Sequence, residues 1–494
     1  MPEPDVFSLL PIIITLALAL YTKHVVIGLF GGVVTAVVLL IGPQPLTVLS
    51  ELVRTHLVGT LTDSYNAGVI VLMIFIGGFV ALMEKSGGGP AFAAKMIGYI
   101  ATKAKAQITA WCGGIFIFYS DLGTPLIIGP VFRPLFDKLK VSREKLAFII
   151  DSTASPVAIL IPFIGWGIYI MGLIQKEFDR AGRELESWDV FLGVIPFQFY
   201  AILAIVIVPL LVWLKRDFGA MSDAEQRTAI PQHQAENTQS QPVTEVFTHE
   251  NARARFVFLP LLVMAVVLLA MLVPLGFPFT SVKGSLFRAA LSSAYFLAAC
   301  TLIGLMGWYK VRPVMDGINL YLKGMSGMMQ VIIVLVLAWT LSSLGHDLGT
   351  ARYIAELAQQ GFPPWLLPLV AFLLSAIISF ATGSSWGTFA IMLPLVIPTA
   401  FAIDAPLLVS IGAVLSGGLF GDHCSPISET TILSATGANC SQFDHFRTQL
   451  PYAMMNGAIA ITAFLLAGFF ANSMIVIGAV AIQLLVLMGL KRAL

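Results

Sequence analysis

The stretch Gly421-Asp422-His423-Cys424-Ser425-Pro426-Ile427-Ser428-Glu429-Thr430-Thr431 sets charge and hydroxyl groups inside an apolar run, with Ala405 to Leu419 before it and Ile432 to Ala435 after it. Pro426 removes a backbone donor and disfavours α geometry at Ser425, while Ser followed by Pro suits an N-cap and first helical position. A helix is therefore expected to break here and restart. Such a break leaves carbonyl and N–H groups without partners, which membrane-depth backbone tolerates only around a ligand, an ion or a water-filled cavity. Ionisable groups at that depth are costly and mark function.

Composition supplies the membrane. Of 494 residues, 57% are hydrophobic and 11% charged, and the mean hydropathy is +0.89, the description of an all-α polytopic protein whose surroundings are a lipid bilayer. The net charge of +1 offers no basic field, so nucleic acid is not an expected partner. Cys112, Cys300, Cys424 and Cys440 show no metal spacing and read as reduced. Met1-Pro2-Glu3-Pro4-Asp5 is acidic and lacks the basic region of a cleavable signal, so the first helix is expected to stay.

Apolar segments near 6–22, 24–42, 65–84, 190–214, 255–276, 285–308, 324–345, 450–471 and 474–490 read as plain spans of about 20 residues each. Four more, 107–136, 145–176, 365–402 and 405–437, are interrupted and fall as one adjacent pair in each half. As a single helix 145–176 would be roughly 48 Å long against a hydrocarbon core of about 30 Å. It also carries Asp151-Ser152-Thr153-Ala154-Ser155-Pro156, a second polar break.

The basic residues decide how 107–136 and 365–402 run. Taken as re-entrant hairpins, they give about 11 transmembrane helices and leave most of the 28 Lys and Arg on one face, cytoplasmic by the positive-inside bias. The N-terminus is then outside and Lys491-Arg492 inside. Gly123-Thr124 with Pro130 matches Gly387-Thr388 with Pro394, and Ser155-Pro156 matches Ser425-Pro426. Two inverted-topology repeats with broken helices follow, the architecture that places a secondary transporter's site between its halves. The expected division is 1–64 as N-terminal scaffold helices, 65–215 as first repeat, 216–254 as a disordered cytoplasmic linker, 255–471 as second repeat and 472–494 as C-terminal helix.

If each hairpin tip meets the neighbouring broken helix, four polar breaks converge. The expected cation- and proton-binding residues are Asp422, Glu429, Asp151 and Asp121, with hydroxyls from Ser152, Ser155, Ser425, Ser428, Thr382, Ser384 and Ser385. Oxygen ligands and helix C-termini suit a hard alkali cation such as Na+, and a desolvated carboxylate also gains proton affinity. Helix N-termini at Pro125, Pro156 and Pro426 suit an anionic group instead. Thr124, Thr388, Trp166, Trp386 and His423 are expected around a pocket for an organic solute. Packing explains the two tryptophans and Tyr169 equally well, and a structural hydrogen bond explains His423. Asp444, His445 and Arg447 read as a solvated loop.

At these residues the chain resembles the NhaC-type sodium/proton antiporters. Gly421 to Ser428 with Thr430-Thr431-Ile432-Leu433 is similar to the family signature, and further blocks are Arg133-Pro134-Leu135, Val141 to Leu146, Asp151-Ser152-Thr153 and Arg447-Thr448-Gln449-Leu450-Pro451-Tyr452. The resemblance implies a superfamily of inverted repeats with re-entrant hairpins. Two positions depart: Ser120-Asp121 and Thr124 stand where paired aspartates and an Asn are frequent, and Glu429 stands where Asp is frequent. The function expected is exchange of sodium for protons across a bacterial inner membrane, with Na+ as transported ion and no other cofactor. The alternative is a sodium-coupled carrier of a small organic acid or amino acid, and a homodimer is compatible with either. No HExxH or nucleophile-with-base arrangement points to an enzyme.

Overall fold

A computed structural model describes the chain apart from residues 1–4, 98–99, 230–246, 278–281, 283, 351, 354–355, 357–361 and 490–494. Lipid gives the backbone no partners, so each segment closes its own hydrogen bonds, and among the described residues every regular element is helical. α1 (Leu10–Thr22) and α2 (Val25–Ile41) pair closely because glycine leaves room: a Cβ on Gly32 would meet Thr15 Oγ1 at 1.9 Å. The chain then turns by 111° into α3 (Pro45–Thr62), a largely exposed helix absent from the sequence-based expectation. α4 (Ser64–Lys85) is capped by Asp63, which accepts from the N–H groups of Tyr65 and Asn66, and α5 (Gly88–Ile97) follows.

α6 (Lys103–Phe116) and α7 (Gly123–Lys138) form the first hairpin; α8 (Arg143–Asp151), the single turn α9 (Ser155–Ala158) and α10 (Gly165–Arg180) are the pieces of 145–176. The hairpin reaches the break at Gly114, where a Cβ would meet Thr153 Oγ1 at 2.0 Å. Its other end returns to the start of α8, where Asp137 pairs with Arg143 at 3.1 Å. α11 (Ser187–Phe197) and α12 (Phe199–Leu214) are one segment bent by 50°.

The linker departs from expectation. Residues 220–229, read as disordered, form α13 (Ala220–Ala229), and the segment is pinned to the start of α8. Glu225 accepts the Ser142 N–H at 2.7 Å, and Asp217 accepts both from Lys145 and from the Tyr452 hydroxyl, the latter at 2.6 Å. Lys145 is 1% exposed, and a buried ammonium needs its counter-charge; that need orders the segment. The stretch 230–246 of the expected linker lies outside the described residues.

The second half runs α14 (Arg255–Leu272), α15 (Gly284–Trp308), α16 (Val314–Gly327), α17 (Met329–Asp347), α18 (Pro364–Thr382), α19 (Ser385–Ala402), α20 (Leu407–His423), α21 (Glu429–Ala438), α22 (Gln442–Phe470) and α23 (Ile475–Gly489). α18 and α19 are the second hairpin, and both of its ends lie opposite the linker. Trp365 stacks on Phe469 at the end of α22 with ring centroids 4.1 Å apart, and Phe401 packs on Phe178 at the end of α10 at 5.8 Å. α21 ends on the linker face, where Arg143 donates to the Asn439 carbonyl at 3.2 Å. One hairpin thus enters from the linker face and the other from the far face, as inverted repeats require.

Seven helices among the described residues are long and apolar enough to cross a membrane, nine if each bent pair counts as one. The expected count of about eleven does not emerge from length and apolarity, because the pieces on either side of each break, α1 and α23 are all too short to pass that test.

Candidate functional site

Asp151 closes α8 and is fully buried. Its Oδ2 accepts from Gln449 Nε2 at 2.6 Å, and its Oδ1 accepts from Ser434 Oγ at 3.3 Å. His445 Nε2 lies 3.4 Å from the same Oδ2, within ion-pair range but without hydrogen-bond alignment. Gln449 also donates to the His423 carbonyl at 3.2 Å, so the C-terminal end of α20 and the end of α8 meet through one amide. Two elements of the second repeat, α21 and α22, therefore answer a carboxylate of the first, and Gln449 links a third, α20, to them.

Asp422 sits in the last turn of α20 and is 4% exposed. Its Oδ2 accepts from Thr430 Oγ1 at 2.9 Å, and Thr430 is 3.1 Å from Ser428 Oγ. The break itself is held by Ser425, whose N–H donates to the Asp422 carbonyl at 2.9 Å and whose hydroxyl donates to the Phe380 carbonyl at 2.8 Å. Ser425 thereby ties the second hairpin to the break. Pro426 accounts for the interruption, since α20 stops before it and α21 starts at Glu429. Ser155 Oγ, Thr431 Oγ1 and Gln449 Oε1 are buried without a protein partner, oxygens of the kind an alkali cation or water takes up. No group of three or more His, Cys, Asp or Glu converges among the described residues, so hydroxyl and amide oxygens must complete any coordination around these carboxylates.

The sequence profile of the Na+/H+ antiporter family matches residues 157–469, which include the second break and the second hairpin. The chain belongs to the Na+/H+ antiporter family. A Haemophilus influenzae protein described as uncharacterized is 30% identical, over 98% of this chain and 95% of its own length. A malate-2H(+)/Na(+)-lactate antiporter of Bacillus subtilis is 26% identical over 43% of this chain and 44% of its own. The crystal structure of the YdaH transporter of Alcanivorax borkumensis superposes with a TM-score of 0.58 at 16% identity, covering 85% of this chain and 89% of that one, a likeness of fold. Family and fold make the protein a multi-pass membrane protein and a secondary transporter.

In this member of the Na+/H+ antiporter family the residues singled out from sequence do not all converge. Asp151, Asp422, Ser152, Ser155, Ser425 and Ser428 are buried at the two breaks. Glu429 is exposed at the start of α21, and Asp121, at the first tip, is only partly covered. At the second tip Ser384 caps α19 by accepting the Gly387 N–H at 3.3 Å, Ser385 donates to the Gly418 carbonyl at 3.2 Å, and Thr382 and Thr388 bond back to their own helices. Thr124 likewise bonds to the Ile117 and Ser120 carbonyls. Trp166 and Trp386 pack at 4.9 Å, and the Tyr169 hydroxyl donates to the Trp386 carbonyl at 2.6 Å, so these rings join the second tip to α10. His423 Nδ1 is 3.2 Å from the Tyr200 hydroxyl, the structural contact expected of it.

Three residues at the site were not foreseen. His445 is fully buried, not part of a solvated loop, and Gln449 and Ser434 stand beside it. The signal was a polar stripe, His445, Gln449, Tyr452 and Asn456, at spacings of four, three and four along an apolar helix.

Proposed function

We propose that the protein exchanges sodium for protons across a bacterial inner membrane, with Asp422 and Asp151 as the ion-carrying carboxylates. The family supports the ions, and the buried Asp422 with Thr430 and Ser428 supports the site. A carboxylate enclosed this way cannot hold a proton and a sodium ion together, and exclusive occupancy is what couples two opposed fluxes. Sodium would take the Asp422 carboxylate with the hydroxyls of its own break. Asp151 would supply the second charge, steadied by Gln449 and Ser434. The orientation with the linker cytoplasmic rests on the distribution of Lys and Arg.

A second reading is coupled transport of a small organic acid or amino acid. It is favoured by the relative named for malate and lactate, and by the wall of Trp166, Trp386 and Tyr169 beside the second tip.

Reconstituted protein given an inward sodium gradient and no organic solute decides between them. Proton efflux that disappears in Asp422→Asn is the expected result, with the rate falling about a hundredfold. No flux until malate, lactate or an amino acid is added sinks the first reading and leaves the second.

A further inference from the structure

α4 packs on α15 and α16 with interlocking surfaces. Phe79 meets Tyr295 at 5.4 Å between ring centroids, and a Cβ on Gly77 would meet the Gly324 carbonyl at 2.7 Å. Its other side, toward the site, is different. Gly165 and Gly172 of α10, seven residues apart, face Ile76 and Val69 of α4, also seven apart; ideal Cβ atoms there would find those side chains only at 3.7 and 3.4 Å. At these two points apolar side chains rest on glycines at ordinary van der Waals distance.

Polar contacts close this smooth seam at each end. On the far face Lys176 pairs with Asp63 at 3.0 Å, and the Tyr65 hydroxyl donates to the Met171 carbonyl at 3.2 Å. At the other end Glu84 of α4 accepts from Ser120 Oγ at 2.6 Å, and that hydroxyl accepts the Gly123 N–H at 2.8 Å. Glu84 Oε1 lies where a Cβ on Gly123 would meet it at 2.8 Å, directly against the first turn of α7. An acceptor is favourable there, and Glu84 ties the tip to α4 alongside the ring contact of Phe118 with Phe163. Ser120 is 7% exposed and the neighbouring Tyr119 is 4% exposed, its hydroxyl buried without a partner.

We propose that Glu84 is a positioning residue for transport: through Ser120 it clips the tip of the first hairpin to α4 in the conformation seen here, and the clip must open for the site to change the face it serves. The inference rests on the reading of the chain as an alternating-access carrier, not on which ion it carries. A slide along the seam costs little because apolar contact is exchanged for apolar contact, so the polar ends set where it stops.

Two measurements on the full-length protein test this. The first needs no cargo: a cysteine replacing Tyr119 is labelled with a membrane-impermeant maleimide in membranes. Labelling is expected to quicken about tenfold when Glu84→Ala is added, and to stay within about twofold for Glu84→Gln, which keeps an acceptor for Ser120. Equal rates in all three overturn the proposal, as does a Gln variant that behaves like Ala. In the second, Glu84→Cys with Ser120→Cys is oxidised in proteoliposomes. Exchange should fall at least about tenfold and return on reduction, with equilibrium sodium binding kept within about twofold. Undiminished exchange by the cross-linked protein overturns the proposal. If the reduced protein exchanges no sodium for protons, the cargo assignment falls, while the labelling rates still judge Glu84.

Discussion

Gln449 holds more of the site together than its neutral side chain suggests. Its amide nitrogen serves Asp151 and the His423 carbonyl at once, so removing it strips a fully buried carboxylate of its shortest bond and unfastens the end of α20. Leaving a buried acceptor unmet costs about 1–3 kcal/mol, more for a charge. Gln449→Ala is therefore expected to raise the sodium concentration for half-maximal exchange by about tenfold or more. Gln449→Glu, which puts a second carboxylate beside Asp151, should be worse still; the sodium dependence of flux in proteoliposomes measures both. At this scale the sequence was legible where a residue broke the expected chemistry of its segment, as Asp422 and Asp151 do. At Gln449 and His445 the polar stripe was a weaker signal, because amide and imidazole groups near a helix start are ordinary at a membrane surface. Only the closure of α22 against α8 puts them inside. Glu429 shows the reverse: a carboxylate in the same motif turns outward because it opens α21, where its charge suits the helix N-terminus.

Among the elements, the connection between the halves carries a structural duty. Asp217 answers Lys145 on α8 and Tyr452 on α22, the two helices that supply Asp151 and Gln449. Phe148 stacks on Tyr452 at 4.7 Å beneath that ammonium, so the pair is roofed by aromatic rings. Asp217→Ala leaves a buried ammonium without its counter-charge, and a loss of about 3–5 kcal/mol is expected. It should appear as a lower unfolding temperature in detergent, and Lys145→Met together with Asp217→Leu should recover much of it. A second prediction concerns α7 and α21, which touch backbone to backbone. A Cβ on Gly129 would lie 2.3 Å from the Gly437 carbonyl carbon, and one on Gly437 would lie 2.2 Å from the Pro125 carbonyl oxygen. Neither neighbour can give way, so Gly437→Val is expected to abolish recovery of folded protein by size-exclusion chromatography, while Gly304→Ala, at an open position within α15, should be tolerated.

For the molecule as a whole, the two hairpins and two breaks were visible in advance because each is a local conflict: polar residues, Gly and Pro in segments otherwise fit for lipid. α3 and α13 were not visible. α3 has too little continuous apolar length to read as a span, and α13 is a polar decapeptide whose helix depends on contacts made elsewhere. The packing of the first hairpin gives a topology prediction. Cysteines placed at Ala104 and Leu139 should both react with an impermeant maleimide from one side of the membrane, and labelling from opposite sides would rule the hairpin out.

The crossing of Gly129 with Gly437 reaches beyond stability. With the backbone of the first hairpin seated on the half-helix that follows the second break, neither repeat can adjust its half of the site alone. Whatever moves must carry both breaks together and keep the pocket's shape. A pocket of constant shape grips its passenger equally from either compartment. Under the proposed exchange, half-saturating sodium concentrations measured from the two sides of the vesicle wall should then agree within about threefold, with the prevailing gradients choosing the direction.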